Sequence, residues 1–411
     1  MSENNTAGIP ELLSPAGDFQ RLKTAVLYGA GAVYAGYKQF GLRATPQNFG
    51  WEELPQAAAY CRERGVKFYL TCNSLPTNRE VEELPAFITH AAKSGVDALI
   101  VADVGVLGMA KRLAPEMDVH ISTQAGVVNY LTATELYHMG ASRVVLAREL
   151  SLDDIRGIRE NTPSALELEV FVHGAMCVSF SGRCLLSQYL SARDSNRGQC
   201  SQPCRWGYHL MEEKRPGQFF PIYEDDKGTY ILNAEDLCLL PHLDELCRAG
   251  VSSLKIEGRA KADYYVAVIT NAYRMALELY SRDPAGYAPP DWLLEEVCKV
   301  SHRRYSSGFL FPEAPPAQNY HKNYLRVWDV VATVDGCEDG CLLCTEKNRF
   351  GVGDVLEVLC PGKQPGTLRV TELFTGEGER IDVARHPMMP LRIPCSIPYP
   401  PGTMLRRAKE Y

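Results

Sequence analysis

Eight times between residues 11 and 258, a short apolar run is followed by a segment of helical periodicity, and few folds accept that alternation. The runs fall at residues 11–16, 32–36, 67–73, 98–103, 119–124, 143–149, 168–174 and 253–258. A parallel strand needs a crossover to reach its neighbour and cover on both faces, and an intervening helix supplies both. Eight such units predict an α/β fold, a closed TIM-type (β/α)8 barrel. Glycines stand where helices should hand over to strands, at Gly29, Gly65, Gly95, Gly140 and Gly250, as expected for left-handed helix termini. The glycines around residues 29–36 run from helix to strand and lack the dinucleotide-binding spacing.

With 411 residues, the chain exceeds one ordinary core. The predicted barrel domain covers residues 1–285. Its long last helix, 263–280, is followed by a proline- and glycine-rich break, and a helix with a polar linker occupies 286–323. Short alternating strands with glycine turns then predict a small β barrel over 324–411. No basic leader precedes an apolar stretch and no apolar run is long enough to span a bilayer, so the expected setting is cytoplasmic, without a membrane.

In a reducing compartment, 14 cysteines point to metal binding or catalysis where they cluster and to buried thiols where they scatter. Cys61, Cys72, Cys247, Cys298, Cys360 and Cys395 are the scattered ones. Cys177, Cys184, Cys200 and Cys204 crowd into a predicted insertion, residues 177–238, which leaves the carboxyl end of the seventh strand, where barrels of this type carry their chemistry. A hairpin around residues 226–228 would return the chain so that Cys238 approaches the earlier thiols. The spacings lack the paired C-x2-C knuckles of structural zinc, whereas four thiolates of irregular spacing suit an iron–sulfur cluster. Spacing leaves open whether Cys204 or Cys238 completes the set. A second run, Cys337, Cys341 and Cys344, reads as a hairpin turn next to Gly336 and Gly340.

The pattern E-x-F-x2-G-A-M-C-x4-G-x-C-x2-S, from Glu169 to Ser187, resembles that of the collagenase-like peptidase family. The likeness extends from the ELLSPAGD segment through SLKIEGRAK into the carboxy-terminal region, and is greatest to members involved in tRNA hydroxylation. It implies a [4Fe-4S] cluster on Cys177, Cys184, Cys200 and Cys238, tRNA as partner, and oxygen-independent conversion of a wobble uridine to 5-hydroxyuridine with a prephenate-like anionic co-substrate. Collagenase-like peptidase activity and a non-catalytic metal-bound subunit are the rival readings, and assembly with itself or a related chain is a further expectation. The sequence carries none of the H-E-x-x-H, G-x-S-x-G or cysteine-protease signatures that a peptidase would use.

Polar residues at strand ends supply the remaining candidates: Asp18, Asn73, Asp103, Gln124, Arg148, Glu149, His173, Lys255, Glu257 and Arg259. His173, Lys255 and Glu257 are the candidate catalytic groups. Arg43, Arg148 and Arg259 are candidates for holding anions, since a guanidinium grips carboxylate or phosphate in bidentate fashion. A net charge of −7 argues against non-specific polyanion binding, so any RNA contact must be local. Lys322, Arg326, Lys347, Arg349, Arg369, Arg406 and Arg407 offer such charge in the small β domain.

Overall fold

A computed structural model describes residues 8–41, 48–177, 179–206, 223–225, 228–230, 235–311 and 327–409. Arg43, Lys322, Arg326, Asp226 and Lys227 lie outside the described residues. Eight parallel strands form the ring: β1 (Glu11–Ala16), β2 (Ala32–Gly36), β3 (Lys67–Cys72), β4 (Ala98–Val101), β5 (Asp118–Ile121), β6 (Arg143–Val145), β7 (Glu167–Ala175) and β8 (Ser253–Ile256). β8 pairs in parallel with both β1 and β7, so the expected barrel closes. All five helix-terminal glycines adopt positive φ.

Residues of one register face the surrounding helices, among them Leu12, Val33, Phe68, Leu99, Val144, Val170 and Leu254. The opposite register fills the barrel with Leu13, Ala32, Tyr34, Tyr69, Ala98 and Ile100. One side of that interior is ionic. Arg143 Nη1 donates to Glu11 Oε1 at 2.7 Å and Glu169 Oε2 at 3.0 Å, while its Nε donates to Glu167 Oε2 at 2.6 Å. Lys255 Nζ donates to Glu169 Oε1 at 2.7 Å, and Ser253 Oγ to Glu169 Oε2 at 3.1 Å. These partners come from β1, β6, β7 and β8, so the network straps together the strands that close the ring. Burial raises the Glu169 carboxyl, but Lys255 and Arg143 outweigh it and hold it at about 2.

The chain from Cys177 onward leaves the top of β7 and returns as the short strand Asp236–Cys238, which runs antiparallel to β7 outside the ring. The expected hairpin is present as Tyr223–Asp225 against Gly228–Tyr230. The region predicted as a linker contributes to the barrel: Leu293, Val297, Val300 and Leu310 join its core, and Tyr305–Ser306 pairs with Asp236–Leu237.

The C-terminal unit is a seven-stranded antiparallel sheet curled around Val331, Val334, Leu342, Val358, Leu391, Ile393 and Leu405. Cys337 and Cys341 flank a hairpin whose turn, Asp339-Gly340, takes positive φ at both residues, as the glycine spacing predicts. Cys344 is buried. Tyr28 OH donates to the carbonyls of Leu359 and Gly402, and Arg406 Nη2 donates at 2.7 Å to both Glu296 and Glu357. Arg406, expected on an RNA-facing surface, is instead fully buried in the weld between the two units. Arg407 pairs with Asp354 at 2.8 Å. Among the scattered cysteines, Cys298 is exposed and Cys395 half-buried, against the expectation of buried thiols.

Removing one member of a buried ionic group strands its partners, at a cost of about 3–5 kcal/mol. Glu169→Gln should lower urea-denaturation stability by that order at pH 7. Because the folded carboxyl titrates below its ordinary value of 4.5, its contribution is complete above that pH and is lost as pH falls toward 2. The gap between variant and wild type should therefore narrow across the same window, and a gap under about 1 kcal/mol at pH 7 would contradict the strapping role.

Candidate active site

The carboxyl ends of the strands surround a cleft of about 500 Å³, including its solvent-open mouth. Six of the predicted rim residues line it: Asn73, Gln124, Arg148, Lys255, Glu257 and Arg259, beside Tyr34, Thr71, Ser122, Thr123 and Phe171. Lys255 rises from the floor with its Nζ 4.5 Å from the Tyr34 ring centre, held by Glu169 below. Arg259 Nη1 donates to Thr71 Oγ1 at 3.1 Å and crosses the end of β2 at Gly36, where an added Cβ would push the guanidinium aside. The Asn73 Oδ1 atom is buried and has no hydrogen-bond partner among the described residues. The cleft thus offers three cationic side chains, one carboxylate and an acceptor, over a floor with aromatic walls.

Arg148 joins this cleft to the cysteine segment. Its Nη1 donates to the Ala175 carbonyl at 2.9 Å, its Nη2 lies 3.9 Å from Cys177 Sγ, and its guanidinium carbon sits 5.0 Å from the Phe171 ring centre. Glu149 fastens the next turn by accepting from the Ser181 backbone N–H at 2.8 Å and its hydroxyl at 3.1 Å. Gly182 lies so close to the chain after β5 that an added Cβ would be 2.6 Å from the Gln124 carbonyl oxygen, and its φ of +74° suits glycine. Beyond it, the Cys184 carbonyl accepts from Ser195 Oγ at 2.6 Å and Asn196 Nδ2 at 2.9 Å. Helix Leu186–Ser191 packs on the turn Pro203–Arg205 through the hydroxyls of Ser187, Ser191 and Ser201. Cys177, Cys184, Cys200 and Cys204 therefore share one connection over the barrel mouth, all as free thiols. Among the described residues, no three His, Cys, Asp or Glu side chains form a group that could hold a metal ion.

Other candidates lie elsewhere. The expected catalytic residue His173 is 1% exposed and faces away from the cleft. The cause is a bulge: Lys255 pairs with Phe171 but Ile256 with His173, so Val172 is the extra residue and the side-chain alternation inverts. His173 Nε2 instead meets Tyr305 OH at 3.1 Å, and burial pushes its pKa down to about 3, so it remains neutral. Cys238, opposite His173 on the antiparallel strand, turns the same way. Its thiol shares a hydrogen bond with Tyr273, and burial pushes it up to about 11. Asp18 and Asp103 cap helices, accepting from the N–H groups of Arg21 and of Gly105 and Val106. Glu11, Arg143 and Glu169 were missed as supports for the site. The available signal was charge at inward positions of otherwise apolar strands.

Residues 17–319 match the model of peptidase family U32, and residues 326–406 match that family's C-terminal domain. The chain belongs to peptidase family U32. Within it, the chain is 37% identical over 414 residues to tRNA hydroxylation protein P of Escherichia coli K12, covering 90% of each. It is 34% identical to tRNA hydroxylation protein P1 of Bacillus subtilis 168, over 97% of this chain and 95% of the relative. The 23S rRNA 5-hydroxycytidine C2501 synthase of E. coli is 38% identical over 65% of this chain and 39% of its own.

If Gly182 seats the cysteine connection against Gln124, Gly182→Ala should lift that turn. Amide hydrogen exchange in residues 179–184 should quicken at least tenfold, while exchange in β1 to β4 stays unchanged. Equal protection in both proteins would show that the contact does not hold the loop.

Proposed function

We propose that this U32 chain hydroxylates RNA, specifically a wobble uridine of tRNA to 5-hydroxyuridine, without molecular oxygen and with an iron–sulfur cluster and a prephenate-like anionic co-substrate. The observation that carries this reading is Arg148, which lines the cationic cleft and also reaches Cys177. The names of the U32 relatives supply the substrate class: both tRNA and rRNA hydroxylation occur among them.

Each feature of the cleft has a part in this reading. Arg148, Arg259 and Lys255 attract a carboxylate-bearing co-substrate, and the planar guanidinium groups fix its orientation. Asn73 Oδ1, buried at the cleft without a hydrogen-bond partner among the described residues, would accept an N–H from a base once the side chain turns toward it, and Tyr34 and Phe171 would offer apolar faces to the ring. Glu257 is the carboxylate in the cleft that can take up or return a proton. The cysteines of the connection are the donor type that an iron–sulfur cluster takes, although no three of them are drawn together among the described residues, so binding would have to gather them; when bound, the cluster would supply one-electron transfer. Cys177, Cys184 and Cys200 are the proposed ligands, and Cys204 is favoured as the fourth over Cys238, because it shares their connection while the Cys238 thiol faces Tyr273.

Nucleoside mass spectrometry of tRNA from a deletion strain tests the activity. The wild-type gene should restore 5-hydroxyuridine, and Arg148→Ala or Lys255→Met at equal abundance should restore less than about a tenth of it, a loss above 1.4 kcal/mol of transition-state stabilisation. Undiminished 5-hydroxyuridine in the deletion strain, with loss of gelatin cleavage, would favour a peptidase. Iron and sulfide quantification of anaerobically purified protein tests the ligands. Cys177→Ala and Cys204→Ala should lose both elements and the visible absorption, and Cys238→Ala should keep them. Colourless wild-type protein that binds zinc would overturn the redox reading.

A further inference from the structure

Helix Leu186–Ser191 is patterned inside out. Its serines at 187 and 191 face inward, with Ser187 fully buried, while Tyr189 is 81% exposed and Leu190 stands beside it in solvent. An amphipathic helix ordinarily buries the opposite residues, so an outward apolar face signals something that covers it. Phe180 and Trp206, on the same connection, are further exposed aromatic side chains at 42% and 39%. The Trp206 indole N–H donates to the Ser201 carbonyl at 3.2 Å, which fixes the ring by its edge.

Charge indicates the nature of the cover. Between Cys177 and Trp206 there are four arginines, no lysine, no glutamate and one aspartate, in a chain whose net charge is −7. That aspartate, Asp194, already accepts from the Asn196 N–H at 2.8 Å. The surface also abuts the cleft: a Cβ on Gly126, two residues beyond Gln124, would meet Phe180 at 3.6 Å and Arg183 at 3.7 Å. Aromatic residues interleaved along the chain with arginines, of which Arg183 lies beside Phe180, suit unpaired nucleotides, which stack on rings while their phosphates meet cations.

We infer that Phe180, Arg183, Tyr189 and Trp206 form a stacking platform for a single-stranded RNA loop, holding the nucleotides that flank the base in the barrel mouth. This inference rests on the proposed RNA hydroxylation and assigns part of the RNA contact to the cysteine connection.

The test measures the affinity of the anaerobically purified full chain for an anticodon stem-loop RNA and for a duplex RNA of equal length. Tyr189→Ala should weaken stem-loop binding about tenfold, Tyr189→Phe should restore it, and duplex binding should change less than twofold. Arg183→Gln should reduce the slope of log affinity against log salt by about 0.7, the value for one single-strand phosphate contact. Circular dichroism and iron content of each variant should match the wild type. Affinities within twofold of wild type for both Tyr189→Ala and Trp206→Ala would overturn the platform. So would a change in sedimentation with RNA affinity unaltered, which would mark a protein interface. If these variants bind and modify tRNA normally, the platform falls and the proposed function stands; if the wild type neither binds the stem-loop nor modifies tRNA, the function itself falls.

Discussion

The buried carboxylate of Glu169 is the constraint on which the rest of the site depends. It takes Lys255 from β8 and Arg143 from β6, and through Arg143 it is coupled to Glu11 on β1. An ion of this kind inside a barrel is costly unless every lone pair is used, and here Ser253 supplies a further donor. One group thereby fastens the strands that close the ring and points a cationic side chain into the cleft. Stability and site geometry have the same source, so the position of Lys255 cannot relax without loosening the barrel.

From that floor, the site is completed by what leaves β6 and β7. Arg148 extends from just beyond β6 to the Ala175 carbonyl and the Cys177 thiol, and Glu149 beside it grips Ser181. Two consecutive residues thus tie the cysteine connection to the rim. An anion drawn to Arg148 would sit against the same guanidinium that lies beside the first cysteine. The C-terminal sheet is fixed against the barrel through Arg406, which reaches Glu296, and Tyr28, which reaches Leu359 and Gly402.

Much of this was legible in the residues. Strand and helix periods differ enough that eight alternations specify the barrel, and the glycines at 29, 65, 95, 140 and 250 mark its turns because left-handed backbone disfavours other residues. Lys255, Glu257 and Arg259 read as a site because charges on alternate positions of a strand end must share one face. His173 could not be read this way. Counting by twos from Phe171 places it in the cleft, and only the bulge at Val172, a property of pairing with β8, turns it outward. The direction of Cys238 is likewise set by the strand it pairs with and not by its distance from Cys177 along the chain. Arg406 illustrates a third limit: surface charge and interface charge look alike until the two units are docked.

The central claim is that RNA meets this U32 chain at the barrel mouth, beneath the cysteine connection. The most direct measurement is ultraviolet crosslinking of the anaerobically purified protein to tRNA, followed by mass-spectrometric mapping of the attached peptides. Crosslinks should fall in the connections that follow β3, β5 and β7, near residues 73, 124 and 177–206. Crosslinks confined to the sheet at 327–409, with none on the barrel rim, would contradict it.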